Sequence, residues 1–198
     1  MLKRLFDILF SFLGLLITSP ILLLVAITIK LDSRGPVFYR GERTGKKGKP
    51  FRIFKFRTMV ENAERIGGPS TASDDPRLTR IGNFLKKYQI DELPQLINVL
   101  KGEMSFVGPR PEVKRYVDMM SQQEKDIILS VVPGMTDFAS LWNFHEGEIL
   151  KGSSDPEKTY MEKIRPEKIR LQMEYVKKRS FMLDLELIIK TILRVFHE

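Results

Sequence analysis

The chain has no cysteine. That excludes a disulfide framework, a thiolate metal centre and a cysteine nucleophile. Histidine is nearly as scarce, with only His145 and His197. So small a set argues against a histidine-rich metal site or a histidine-based triad. Any divalent cation would rest on carboxylates, which suit magnesium or manganese better than zinc. No internal repeat, low-complexity tract or nucleic-acid-binding motif is present. Acidic charge is in deficit, with 33 basic against 25 acidic residues and a net charge of +8. Such an excess implies an anionic partner: nucleic acid, lipid headgroups or a phosphorylated substrate. The length, 198 residues, suits one domain, or one domain with an attachment.

What is present begins with a long apolar run. Leu5 to Ile29 carries one charge, Asp7. At about 25 residues it is long enough to span a bilayer as a helix. It exceeds a signal-peptide core, and no small-residue cleavage site follows. Ser19-Pro20 lies near its middle. Pro20 removes a backbone donor and crowds the preceding turn, so a kink is expected, and Ser19 can bond a carbonyl thereby freed. Basic residues flank both ends: Lys3 and Arg4 before, Lys30 and Arg34 after. The positive-inside rule places both flanks on the cytoplasmic side. A helix that dips in and returns satisfies it; a kinked spanning helix stays open on these residues alone.

Pro36–Arg40 and Phe51–Arg57 read as the strands of a small basic hairpin around a Gly- and Lys-rich loop. Alternation puts Lys55 and Arg57 on one face, where two cations can clamp a diphosphate; a solvated strand face is the competing account. Thr58–Arg65 reads as a short helix. The Gly-, Ser- and Asp-rich loop 67–76 is a candidate mobile flap.

Then Asp91-Glu92 precede an apolar helical pattern, Leu93, Leu96, Ile97 and Leu100. Asp91 is placed as an N-cap, Pro94 fits the first turn, and Lys101-Gly102 is a stop signal. The pair then sits at a helix end that favours phosphate. A cap with a dipole-matching acid is the ordinary explanation of such a pair. In Gly108-Pro109-Arg110-Pro111-Glu112 the two prolines stiffen the segment that carries Arg110, so that its guanidinium is held rigidly.

Three motifs stand in order after the apolar segment: Lys55-Phe56-Arg57-Thr58-Met59, Asp91 to Gly102, and Val107 to Glu112. Together they resemble the monotopic phosphoglycosyl transferases of the bacterial sugar transferase family, over nearly the whole chain. The resemblance implies an α+β, mostly helical fold. Residues 1–34 would form a re-entrant membrane helix broken at Ser19 and Pro20. Residues 35–198 would form a catalytic domain at the cytoplasmic face of the inner membrane, with a basic β-hairpin and amphipathic interfacial helices. It implies transfer of a sugar 1-phosphate from a UDP-sugar to undecaprenyl phosphate, with UMP released. The residue matching Asp91 is the nucleophile and a magnesium ligand; Glu92 assists in metal binding or proton handling. Lys55, Arg57, Lys86, Arg110 and Glu112 are assigned to the substrate phosphates. Bilayer lipids are expected partners, nucleic acid is not, and a homodimer is compatible.

The match weakens toward the C-terminus. Pro133-Gly134-Met135-Thr136 resembles the next family motif, but Asp137 to Glu148 departs from it, and Lys86 stands where arginine is usual. Both departures bear on nucleotide contacts and sugar preference. His145, beside Glu146 and Glu148, reads as a surface histidine. Val113–Val132 reads as helical, and 151–159 as a loop. A helix starting near Pro166 is expected to run through Tyr175. Phe181, Leu185, Ile188, Ile192 and Phe196 then recur at helical spacing, with Asp184 off the stripe. That stripe suits a core or a membrane interface. The alternative to an enzyme is a basic membrane-anchored binding module, which leaves the acid pair and Arg110 without a role.

Overall fold

The computed structural model describes residues 1–196; His197, Glu198 and the side chains of Glu64 and Phe196 lie outside that description. Helix α1 (Leu2–Asp32) runs unbroken through Pro20. Proline at 20 leaves the Leu16 carbonyl without its i+4 donor. The Ser19 hydroxyl donates to that carbonyl at 2.8 Å. Thr18 and Thr28 likewise bond back to Gly14 and Val25. The break expected at Ser19-Pro20 is thus bridged within the helix. Much of the helix surface is apolar and open: Leu5, Leu16, Ile17, Leu23 and Leu24 are all more than half exposed.

Both ends of α1 are nonetheless fastened to the rest of the chain. Near the start, Lys3 donates to the Val107 carbonyl at 2.9 Å and pairs with Asp184. Arg4 donates to the carbonyls of Val99 and Leu100, and Asp7 accepts from the Ser105 hydroxyl and the Phe106 amide. Near the end, Val25 and Ile29 pack with Phe56 and Leu85. Arg57 closes that end by donating to the Ser33 carbonyl and hydroxyl, at 2.8 and 2.9 Å, and to the Arg34 carbonyl.

Four short strands follow: β1 (Phe38–Tyr39), β2 (Glu42–Thr44), β3 (Pro50–Arg52) and β4 (Lys55–Phe56). β1 pairs antiparallel with β4, and β2 with β3, in one shared register. Where Thr58–Arg65 was expected to be helical, only a 3-10 turn forms at Ala63–Arg65, and Met59 bridges to Leu78. The loop 67–76 is not a loose flap. Buried Arg77 pairs with Asp75 at 2.7 Å and donates to the carbonyls of Ala63, Gly68 and Ser70, folding the loop around itself.

Helix α2 (Arg80–Lys87) is capped by Thr79, whose hydroxyl accepts from the Gly82 amide. A 3-10 segment (Ile90–Gln95) leads into α3 (Leu96–Lys101), which ends at Gly102 with φ of +83°. β5 (Ser105–Val107) then lies parallel to β6 (Gly134–Thr136). Just past β5, Gly108 sits so close to Gly134 that a Cβ on either would fall within 2.9 Å of the other's backbone nitrogen. Between those strands come α4 (Lys114–Asp118) and α5 (Gln122–Ile128), the latter opened by a Ser121/Glu124 capping box. The chain closes with α6 (Phe138–Trp142), α7 (Glu146–Leu150), α8 (Pro156–Thr159), a π-helical turn (Tyr160–Ile164), α9 (Arg165–Lys178) and α10 (Phe181–Phe196).

The buried face of α10 differs from the expected stripe. Asp184 and Leu187 are the residues turned inward, and Leu183 and Ile188 pack beside them. Asp184 is buried because Lys3 and the Tyr175 hydroxyl meet it there. Met182, Ile189, Ile192 and Leu193 are left half-exposed or more. Phe6 of α1 packs edge-on against Phe181 at 5.6 Å, joining the outer faces of the two helices.

Candidate active site

The acid pair is carried differently from the expected cap. Asp91 and Glu92 lie inside the 3-10 segment, whose entry is made by Gln89 at φ of +53°; no side chain caps it. Pro94 stands near the end of that segment, just before the N-cap of α3, where a missing backbone donor costs little because the first amides of a helix have no intrahelical partner. Asn98, fully buried on α3, then ties this segment to the hairpin. Its amide oxygen accepts from the Phe54 amide at 2.8 Å, and its Nδ2 donates to the Arg52 carbonyl at 3.0 Å. Lys55 is thereby fixed opposite Glu92.

Glu92 is the hub. Its Oε1 accepts from Lys55 Nζ at 2.8 Å. Arg110 donates to Oε2 at 3.0 Å and to Oε1 with its second nitrogen. Burial alone would raise this carboxyl, but Arg110 and Lys55 together hold it well below the usual carboxylate range. Arg110 is in turn held above its ordinary value, because Glu92 outweighs its own burial. The stiff segment predicted around Arg110 is anchored at both sides: Arg110 donates to the Met135 carbonyl, and its own carbonyl accepts from Gln172 on α9 at 3.3 Å.

Asp91 differs from its neighbour. It is 8% exposed and accepts no hydrogen bond among the described residues. Burial, reinforced by the charge of Glu92, pushes it up to about 6 against the pull of Lys55, Lys86 and Arg110. Lys86, in the last turn of α2, donates to the Thr71 carbonyl at 3.2 Å. Burial lowers it to about 8, with Asp91 opposing that fall. An unbonded carboxylate among three cations can attack phosphorus or bind a cation, whereas both oxygens of Glu92 are already engaged.

Lys55, Lys86, Asp91, Glu92 and Arg110 therefore converge. Two expected phosphate ligands do not. Arg57 is buried at the end of α1, where the carbonyls of Ser33 and Arg34 need its donors. Glu112 points the other way, pairing with Lys168 at 2.8 Å and accepting from the Tyr160 hydroxyl at 3.0 Å. A carboxylate would repel phosphate; here it is a buried fastening for the segment that carries Arg110. Sequence patterns did not reveal Asn98 or Lys168, which act through partners distant along the chain, nor Arg77, whose partners are local but lie in an irregular loop with no periodicity to read.

No group of three or more His, Cys, Asp or Glu that could hold a metal ion exists among the described residues. Magnesium commonly takes one or two carboxylates plus substrate phosphates and water, so the unbonded Asp91 fits it without a protein cage.

A family model described as bacterial sugar transferase matches residues 1–198. The chain belongs to the bacterial sugar transferase family. The chain is 37% identical over 193 residues to a UDP-N-acetylgalactosamine-undecaprenyl-phosphate N-acetylgalactosaminephosphotransferase of Aeromonas hydrophila, covering 96% of this chain and 42% of that one. It is 36% identical over 200 residues to the UDP-glucose:undecaprenyl-phosphate glucose-1-phosphate transferase of Escherichia coli K12, covering 99% and 40%. Against the exopolysaccharide production protein PSS of Rhizobium leguminosarum bv. phaseoli, identity is 37% over 203 residues, covering 96% and 93%. The chain thus spans about two fifths of the first two relatives, and nearly all of the third.

Proposed function

We propose that this bacterial sugar transferase moves a sugar 1-phosphate from a UDP-sugar to undecaprenyl phosphate, as a membrane step in polysaccharide assembly. The observation that carries this reading is Asp91: a buried carboxylate that accepts no hydrogen bond among the described residues and faces Lys55, Lys86 and Arg110. The relatives' names support the donor and acceptor classes.

In the first half-reaction a carboxylate oxygen of Asp91 attacks the donor's β-phosphorus. The bond to the bridging oxygen breaks, UMP leaves, and the phosphosugar stays on Asp91 as an acyl phosphate. In the second, a phosphate oxygen of undecaprenyl phosphate attacks the same phosphorus and Asp91 is expelled as carboxylate. Lys55, Lys86 and Arg110 face the diphosphate and stabilise its developing charge. Glu92 keeps Lys55 and Arg110 aimed. Magnesium, when bound at Asp91, would screen the nucleophile from the anionic donor. Burial of Asp91 shields the acyl phosphate from water. Incubation with magnesium and donor alone, followed by intact-mass measurement, is expected to show a sugar-phosphate adduct on Asp91. Turnover without any such adduct would rule out the covalent route.

This reading puts the enzyme on the cytoplasmic face of the inner membrane, with both ends of α1 held on that side and its apolar, exposed face turned into the bilayer. Support comes from both ends of α1 being fastened to one body while its middle is apolar and exposed. A simple span would carry one end roughly 30 Å away, across the hydrocarbon core. The apolar outer face of α10, joined to α1 through Phe6 and Phe181, suits the same interface. A cysteine placed at residue 2 is expected to react with impermeant reagent only from the cytoplasmic side; periplasmic labelling would restore the span.

A further inference from the structure

Two connecting segments meet beside the acid pair. Ser73, in the loop folded around Arg77, donates its amide to the Gly147 carbonyl at 2.9 Å. The approach is close enough that a Cβ at Gly147 would come within 3.1 Å of the Ser73 nitrogen. Gln89, two residues before Asp91, donates to the Phe144 carbonyl at 3.3 Å. Lys86 reaches the Thr71 carbonyl from the other side. Residues 143–147 are thus clamped between the loop and the 3-10 segment that bears Asp91.

Glu146 sits inside this clamp. Its charge acts on Lys86, Arg110 and Lys168, three cations from three different elements. No ion pair closes onto it among the described residues, and Asn143 Nδ2 donates to its Oε2 at 3.2 Å. A lone carboxylate in a diphosphate site is unfavourable unless it meets a donor. Beside it are two more unused groups: the Ser73 hydroxyl and the Asn143 amide oxygen are both buried without a partner among the described residues. Buried polar atoms left open in a native fold point to a ligand that closes them. A carboxylate, an amide oxygen and a hydroxyl match neutral hydroxyls, not phosphate.

We propose that Glu146, Asn143 and Ser73 form the subsite that reads the hydroxyl groups of the donor's sugar. This rests on the transferase reading above. It gives residues 143–147 the role of setting sugar preference, while Lys55, Lys86 and Arg110 hold the diphosphate that all UDP-sugars share. A site built to bond a hydroxyl discriminates sharply against a donor that presents it elsewhere.

The test compares wild type with Glu146→Gln and Ser73→Ala. For each, kcat/KM for UMP release is measured with UDP-glucose, UDP-galactose, UDP-N-acetylglucosamine and UDP-N-acetylgalactosamine, together with inhibition by UMP. The expected result is a change of tenfold or more in the ratio between the preferred donor and its epimer, with UMP inhibition within twofold of wild type. A fall by one common factor for all four donors overturns the proposal, as does a matching loss of UMP inhibition. Wild type that releases UMP from none of the four overturns the transferase reading, and this subsite with it.

Discussion

Asp91→Asn is expected to lower turnover by on the order of 10⁴-fold or more while making the protein more stable. The two effects share one cause. Asp91 is buried with no hydrogen bond among the described residues, and its carboxyl is raised to about 6. Its ionised form is therefore disfavoured in the folded state relative to the unfolded chain. A shift of this size corresponds to about 3 kcal/mol at neutral pH. Burying an amide in its place offsets part of the gain, which leaves about 2 kcal/mol, or roughly 4–8 °C in Tm. The sign with pH follows. Below the unfolded value near 3.8 the carboxyl is neutral in both states and the variant has no advantage. Between there and about 6 the advantage grows, and above about 6 it is complete. Thermal unfolding in detergent at pH 4 and pH 7, with UMP release assayed in parallel, checks both halves. A variant that is inactive but less stable at pH 7 would mean that Asp91 is structurally satisfied, contrary to its geometry.

Glu92→Gln is expected to behave in the opposite way. Glu92 balances Lys55 and Arg110, and removing its charge leaves two cations facing each other with one amide oxygen between them. Breaking a buried pair commonly costs about 3–5 kcal/mol, and the partial exposure of Lys55 and Arg110 reduces this to about 2–4 kcal/mol. Tm should fall by roughly 4–16 °C. The pH signature also inverts. The folded carboxyl is held far below its ordinary value, so its stabilisation is present above about 4.5 and fades only in strong acid. At pH 5 the Glu92→Gln defect should persist nearly in full, while the Asp91→Asn advantage has begun to shrink. Activity falls as well, because Lys55 and Arg110 lose their aim. Equal stabilities for wild type and Glu92→Gln at pH 7 would show that Lys55 and Arg110 do not depend on Glu92.

These variants also separate what neighbouring residues in the chain can hide. Asp91 and Glu92 are adjacent and chemically alike, yet successive residues of a 3-10 segment point in different directions. One meets two cations at bonding distance; the other meets none. Their environments, not their identities, set the roles. Lys55 and Arg57 show the converse. Strand alternation assigns them one face, but β4 is only two residues long. Beyond it, alternation no longer governs, and Arg57 turns to the carbonyls that end α1.

The sequence by itself determined the mainly helical character, the long apolar N-terminal helix, the motifs that mark the family, and a set of site candidates, Lys55, Arg57, Lys86, Asp91, Glu92, Arg110 and Glu112, of which all but Arg57 and Glu112 converge. Those features are local: they depend on composition, short-range periodicity and fixed spacing. The tertiary structure alone decided that Glu92 is bound while Asp91 accepts no hydrogen bond among the described residues, and that Glu112 pairs with Lys168. It also decided that Asp184 turns inward to meet Lys3, and that Ser73 and Glu146 come together. Each depends on burial and on partners brought together from distant parts of the chain, and no pattern read along one segment carries that information.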